Sequence, residues 1–158
     1  IVNRTVSRLG ASWFDDLGLG LNPALCHYFQ MAAASELAPL CLPADLPFLT
    51  SADVSRLVEI SDSGQKLTLS PAHRDGGTNA MLVPLGCSIR PALGVDSFKR
   101  HKNQAKALKL PISTCDLSGL KFDLDTPDEY LFQRQGSIYI YCNSFTKSYS
   151  LEQDFPSV

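Results

Sequence analysis

Acidic side chains that follow two apolar segments are the residues of this chain best suited to chemistry. Asp45 stands between Pro43 and Pro47 after the apolar run 40–42, and both prolines restrict the backbone. A carboxylate at the carboxyl end of a buried strand is a typical ligand position in an open α/β sheet. The alternative is a loop acid that caps the next helix, although Thr50 already supplies a cap there. A metal ligand is the favoured interpretation of Asp45.

A second acidic pair, Asp123 and Asp125, precedes a Thr-Pro dipeptide. Residues two apart in an extended segment point to the same side, so both carboxylates can face one ligand. Magnesium usually takes one or two carboxylates together with substrate phosphates, which Asp45 and Asp123 would provide, with Asp125 a weaker third ligand. The alternative is that Asp125 helps to cap a helix beginning at Thr126. The pattern favours divalent-metal and nucleotide chemistry.

A basic helix start is the second candidate site. Ser97 begins a predicted helix, where a hydroxyl and free backbone amides together favour an anion. Lys99, Arg100 and Lys102 follow, although the helix dipole is better served by acids in this turn. A bound phosphate or carboxylate would explain the three cations, and a solvated helix face is the alternative. His101 is assigned to the apolar side of the helix.

The glycine-rich segment 76–79 has two interpretations that the sequence leaves open. It could be a tight turn between two strands. Its glycines could also let backbone N–H groups approach an anion.

Alternating strands and helices must position these residues. Asn22 is predicted to be an N-cap, with Pro23 at the first helical position, and 50–53 is predicted to be a capping box. Short strands are predicted at 39–42, 67–69, 81–83 and 112–117, with a helix at 98–109. This alternation predicts an α/β fold with a mostly parallel sheet.

Composition narrows the class of protein. The 158 residues suffice for one domain with a core, and the net charge of −2 gives no basic field for nucleic acid. No apolar run approaches the roughly 20 residues that span a bilayer. Five cysteines without a CxxC pair argue against a zinc site and against a disulfide framework. A reduced, cytoplasmic protein is expected.

Four segments in a fixed order resemble a known family. They are Leu-Pro-Ala-Asp-Leu-Pro at 42–47, His-Arg-Asp-Gly-Gly-Thr-Asn-Ala at 73–80, Gly-Val-Asp-Ser-Phe-Lys-Arg-His at 94–101 and Asp-Leu-Asp-Thr-Pro at 123–127. Together they resemble the 2-phospho-L-lactate or phosphoenolpyruvate guanylyltransferases, which belong to the nucleotide-diphospho-sugar transferase-like group. The resemblance covers about residues 18–131.

The resemblance implies a Rossmann-like, three-layer α/β sandwich with a mostly parallel sheet. It implies transfer of GMP from GTP to phosphoenolpyruvate or 2-phospho-L-lactate, in the biosynthesis of a deazaflavin coenzyme. Asp45 and Asp123 would hold Mg²⁺ and carry the catalysis. The residues implied in binding are Thr78, Gly94 and Ser97 for the acceptor, and Gly20 and Asn22 for the nucleotide.

The chain departs from the family at its beginning. The family opens with a strand and a loop whose lysine and arginine grip the triphosphate, and no such loop precedes Ile1. The expectation is a fragment without its first strand, with a transferase-like domain at 1–133 and an unassigned extension at 134–158. Two alternatives stay open: an inactive module that binds an anion or a protein, and a related nucleotidyltransferase with a molybdopterin acceptor.

Overall fold

The computed structural model describes residues 6–16 and 18–124. One compact unit ends at Asp123 and contains every element named here. The elements are α1 (Leu21–Ala34), β1 (Leu40–Cys41), α2 (Ser51–Ile60), β2 (Leu67–Pro71), β3 (Thr78–Leu82), α3 (Ser97–Ala107), β4 (Ile112–Thr114) and α4 (Ser118–Lys121). The predicted α/β class is confirmed. Asp125, the predicted cap at Thr126, the 133/134 boundary and the 134–158 extension lie outside the described residues.

The sheet has the strand order β1-β3-β2-β4. β2 pairs with β4 in parallel, whereas β3 pairs antiparallel with both β1 and β2. β1, β2 and β4 therefore run in one direction and β3 runs in the other. A short loop, 72–77, joins β2 to β3, and a parallel connection would need a crossover of about a dozen residues or more. The predicted mostly parallel sheet thus agrees with the direction of three described strands, but the pairing is mixed.

Helices cover both faces of this sheet. On one face, Leu69 of β2 and Met81 of β3 pack with Phe29 of α1 and Ala105 of α3. A second group of buried side chains fills the other face, where strand residues meet α2, α4 and the segment after β1. That group consists of Leu46, Leu57, Ala80, Leu82, Cys115 and Leu120. The two clusters fix α3 on one side of the sheet and α4 on the other.

Local signals explain where the helices start. The predicted capping box of α2 is confirmed: Thr50 Oγ1 accepts from the Asp53 amide at 3.2 Å, and the Asp53 carboxylate accepts from the Thr50 amide at 2.9 Å. The predicted N-cap at Asn22 is wrong. α1 begins at Leu21 and its N-cap is Gly20, whose φ of 86° suits a residue without a Cβ. Asn22 lies inside the first turn, and its side chain has a different use, described below.

No helix in the described part of the chain is both long and apolar enough to cross a membrane. The four described cysteines are free thiols: Cys26, Cys41, Cys87 and Cys115. Burial raises the pKa of the Cys41 and Cys115 thiols. These two side chains therefore stay protonated at neutral pH and suit packing better than nucleophilic attack.

The close approach of α4 to the segment after β1 depends on Gly119. A Cβ at this position would lie 2.8 Å from the Phe48 carbonyl oxygen and would press on the Asp53 carboxylate. We therefore expect Gly119→Ala to lower the free energy of unfolding by about 2 kcal/mol in urea denaturation. Ser118→Ala, at an exposed position on the same helix, should change it by less than about 0.5 kcal/mol. Equal effects of the two substitutions would show that the contact is not tight.

Candidate functional site

The direction of the strands gathers the candidate residues at one end of the sheet. β1, β2 and β4 all finish at this end, and β3 starts there at Thr78. Asp45 follows β1, the 72–77 loop follows β2, and Asp123 follows β4 and α4. Loops at the carboxyl ends of strands are where open α/β sheets bind ligands.

Two residues predicted to bind the acceptor, Thr78 and Ser97, are brought into contact. Their hydroxyl oxygens lie 2.9 Å apart, and both residues are buried. The contact between Thr78 and Ser97 depends on an irregularity in the pairing of β2 with β3. Ser70 pairs with Ala80 but Pro71 pairs with Thr78, so Asn79 is an extra residue, as in a β-bulge. The bulge turns Thr78 towards α3 rather than towards the opposite face of the sheet.

The glycine-rich turn is held against the start of α3. The Asp96 amide donates to the Asp75 carbonyl and the Phe98 amide donates to the Gly76 carbonyl, both at 3.1 Å. The Gly77 amide donates to the Asp75 carboxylate at 2.7 Å. These bonds make the segment a turn that aligns Thr78 with α3.

The amides at the start of α3 are not all free, contrary to the sequence-based expectation. The Ser97 amide donates to the Gly94 carbonyl at 3.0 Å, and the Phe98 amide is taken by Gly76. Ser97 itself has no exposed surface. In this conformation Ser97 can therefore affect a ligand only indirectly, through its hydrogen bond with the Thr78 hydroxyl.

The cations of α3 have different environments. The Arg100 guanidinium donates to the Ala92 carbonyl at 2.9 Å and also to the Val95 carbonyl. Lys102 lies over the Phe98 ring, with its Nζ 5.3 Å from the ring centroid. Lys99 is exposed. The guanidinium of Arg100 therefore has partners without a bound anion, because it donates hydrogen bonds to carbonyls of the loop that precedes its own helix.

This loop, 90–95, carries Gly94 and is fastened from two helices. Gln104 of α3 bonds to both the amide and the carbonyl of Arg90, each at 3.1 Å. Asn22 of α1 accepts from the Leu93 amide at 2.7 Å and donates to the Leu93 carbonyl at 3.2 Å. Gly94 has a φ of 115°, which side chains rarely tolerate. Asn22, which is predicted to contact nucleotide, positions the loop of Gly94 in this structure. Gly20, which is also predicted to bind the nucleotide, is exposed.

His101 is the residue whose role the sequence did not reveal. It is buried as predicted, but its Nδ1 lies 3.1 Å from Thr78 Oγ1, and its Nε2 accepts from the Ala92 amide at 2.9 Å. Burial, assisted by the charge of Arg100, lowers the pKa of His101 to about 4, so the ring is neutral at pH 7. The available signal was its spacing of four residues from Ser97, which puts two polar side chains on one buried helix face.

Asp45 and Asp123 lie on segments that follow strands at the end of the sheet where β3 begins. Asp45 is exposed in a turn, and the next residue, Leu46, is in the core. Asp123 is half-buried and follows Phe122, whose ring lies 5.0 Å from that of His73 in the loop after β2. Within 6–16 and 18–124, no three His, Cys, Asp or Glu residues form a ready metal cluster.

The segment that leads to Asp123 is also bonded to the strand that carries Thr78. The Lys121 carbonyl accepts from the His73 amide at 3.0 Å and from Asn79 Nδ2 at 3.4 Å. Asn79 is the bulged neighbour of Thr78. The chain entering the acidic segment is thereby fixed relative to the Thr78–Ser97 contact.

The known proteins that this chain resembles are all named as guanylyltransferases in the three examples that follow. The chain is 39% identical over 123 residues to a phosphoenolpyruvate guanylyltransferase of Sphaerobacter thermophilus, covering 77% of this chain and 58% of the relative. It is 37% identical over 115 residues to a 3-phospho-D-glycerate guanylyltransferase of Phenylobacterium zucineum (70% and 51%). It is 27% identical over 144 residues to a 2-phospho-L-lactate guanylyltransferase of Methanocaldococcus infernus (90% and 62%).

The chain therefore spans between 51% and 62% of the length of these relatives. The family described as "Guanylyl transferase CofC like" matches residues 1–149, which include every candidate residue discussed above. This chain belongs to that guanylyltransferase family.

Proposed function

We propose that the protein transfers GMP from GTP to a phosphorylated three-carbon acid. The observation that carries this proposal is the contact between the Thr78 and Ser97 hydroxyls beside the fastened loop of Gly94. The three relatives are named for phosphoenolpyruvate, 3-phospho-D-glycerate and 2-phospho-L-lactate, each of which has a phosphate and a carboxylate on a three-carbon skeleton. The acceptor class proposed for this chain follows from that shared chemistry.

We further propose Mg²⁺ as the cofactor, held by Asp45 and Asp123 with Asp125 as a third carboxylate. The donor set fits, because all three side chains offer oxygen ligands and Mg²⁺ completes its shell with water and substrate phosphates. When bound, the ion would neutralise charge on the phosphates of GTP. Asp45 is exposed and follows β1 at the same end of the sheet as Thr78, which supports this assignment.

The chain's own residues would act mainly by alignment. The Thr78–Ser97 pair and the Gly94 loop would hold the acceptor so that its phosphate oxygen attacks the α-phosphorus of GTP and pyrophosphate leaves. A phosphate is already ionised at neutral pH, so the reaction needs no general base. A neutral, buried His101 agrees with a reaction of this kind. Gly20 and Asn22 are proposed to lie on the nucleotide side.

Finer points of the fold and setting belong to the same proposal. Helices on both sides of the sheet support a Rossmann-like, three-layer arrangement of the nucleotide-diphospho-sugar transferase type. Free thiols at the four described cysteines suit a reducing compartment, and we propose that the enzyme works in the cytoplasm. The proposed product would serve a coenzyme pathway.

The direct test is an assay of the complete gene product with GTP, Mg²⁺ and each of the three acids in turn. We expect pyrophosphate release that depends on acid and metal, with one acid preferred, together with a guanylylated acid detected by mass spectrometry. Reactions without acid are the control. Binding of an acid without pyrophosphate release would favour an anion-binding module instead, and the absence of both would remove the proposal.

A further inference from the structure

His101 connects a backbone amide to the Thr78 hydroxyl. The imidazole has no exposed surface, and each ring nitrogen has one polar neighbour: Nε2 lies 2.9 Å from the Ala92 amide and Nδ1 lies 3.1 Å from Thr78 Oγ1. Thr78 Oγ1 also lies 2.9 Å from Ser97 Oγ. The three side chains form a continuous hydrogen-bonded chain from the 90–95 loop to β3.

The backbone amide determines where the hydrogen of the imidazole lies. An N–H group can only donate, so Nε2 must accept from Ala92 and cannot carry a hydrogen. A neutral imidazole has a single N–H, which is then on Nδ1. His101 Nδ1 therefore donates to Thr78 Oγ1.

A count of the polar hydrogens on these three side chains shows how many remain available to a ligand. His101 Nδ1, Ser97 Oγ and Thr78 Oγ1 each carry one hydrogen, and two internal hydrogen bonds use two of the three. Ser97 is fully buried, whereas Thr78 keeps 7% of its surface exposed. If Ser97 donates to Thr78, both lone pairs of Thr78 Oγ1 are used. Its remaining hydrogen is then at the only one of the three residues that a ligand can reach.

We propose that His101 is a positioning residue that acts through Thr78. Together with Ser97 it fills the accepting capacity of the Thr78 hydroxyl, so that this hydroxyl can only donate, and its partner is an anionic oxygen of the acceptor. The proposal rests on the proposed function for the identity of that acceptor. It predicts a preference for a carboxylate or phosphate oxygen, which only accepts, over a hydroxyl group, which would also need a partner for its own hydrogen.

Two substitutions of His101 separate the two ring nitrogens. His101→Asn places an amide near the position of Nδ1 and can still donate to Thr78. His101→Gln reaches the position of Nε2 with its carbonyl oxygen and can accept from Ala92, but it places no N–H at the position of Nδ1. In the complete gene product, we expect His101→Gln to weaken phosphoenolpyruvate binding about tenfold in calorimetry, with a clearly smaller loss for His101→Asn. Equal losses, or a larger loss for Asn, would overturn the proposal.

A double substitution tests whether His101 acts through Thr78. Thr78→Val removes the hydroxyl, and adding His101→Gln to it should cost no further affinity, because the interaction that His101 supports is already gone. Additive losses would show that His101 acts by another route. His27→Gln, which changes an exposed histidine of α1, is the control and should bind as the unsubstituted protein does.

The hydrogen positions have their own readout. The ¹⁵N shifts of the His101 ring should report a hydrogen on Nδ1 and none on Nε2 at pH 7. The opposite tautomer or a doubly protonated ring would overturn the proposal whatever the substrate. If the unsubstituted protein binds none of the three acids, the proposed function is wrong, and the ring shifts still decide whether His101 donates to Thr78.

Discussion

Replacing Asp45 with asparagine should reduce Mg²⁺-dependent pyrophosphate release by at least about 100-fold. The substitution keeps the shape of the side chain but removes the charge that a divalent ion requires from its ligand. Asp123→Asn should have an effect of the same size for the same reason. Because a weaker site is filled at higher metal concentration, part of the lost rate should return when Mg²⁺ is raised.

The controls for this experiment come from the fold. Asp45 is exposed, so Asp45→Asn should change the free energy of unfolding by less than about 0.5 kcal/mol. Asp62→Asn changes another exposed carboxylate, which pairs with Lys66 just before β2 begins, at the opposite end of the sheet. It should leave the rate unchanged. An Asp45→Asn protein that is fully active, or one that is inactive because it is unfolded, would contradict a metal-binding role.

Much of the local structure could be predicted from the sequence, because short-range chemistry decides it. Thr50 and Asp53 are three residues apart and form the predicted capping box without help from the rest of the chain. The predicted start of α1 is two residues too late, because Asn22 is a good N-cap in isolation. In the structure its amide is occupied by Leu93, which is 71 residues away. Local propensity carries no information about such a partner.

Strand pairing in the sheet likewise depends on distant parts of the chain and could not be predicted from local sequence. Residues 67–69 and 81–83 were identified as strands, but their pairing depends on the 72–77 loop, and the mixed direction followed from its shortness. The bulge at Asn79 was not predicted, since a bulge depends on the register between two strands. Without that bulge, Thr78 would not face Ser97.

The residues of the candidate site could be predicted from the sequence, but the hydrogen bonds between them could not. Thr78, Gly94 and Ser97 entered through the family motifs, and Thr78 and Ser97 do meet. For Arg100 the sequence allows a bound anion or a solvated helix face, yet its guanidinium donates to loop carbonyls. A long side chain can reach several partners, so its use is decided by tertiary structure. Asp125 lies outside the described residues, and its role stays a prediction.

A second large effect should be visible in the pH dependence of stability. The pKa of His101 is about 4 in the folded protein, below its ordinary value of 6.5, because of burial and the nearby charge of Arg100. Between pH 6.5 and 4 the unfolded chain binds a proton at this histidine that the folded chain does not bind. The stabilisation is therefore complete above pH 6.5 and is lost as the pH falls towards 4. The loss from this residue should be about 3 kcal/mol between pH 7 and 4.

Urea unfolding of the unsubstituted protein and of His101→Gln at several pH values isolates this contribution. Both proteins share the titration of their carboxylates, so the difference between their curves reports His101 alone. The advantage of the unsubstituted protein should shrink as the pH falls from 6.5 to 4, whereas His27→Gln should follow the unsubstituted curve. Burial is the main cause of the lowered pKa, and a proton on Nε2 would in addition face the Ala92 N–H, which is itself a donor. Parallel curves for the unsubstituted protein and His101→Gln would mean that the buried ring accepts a proton freely, and that the Ala92 amide does not fix its tautomer.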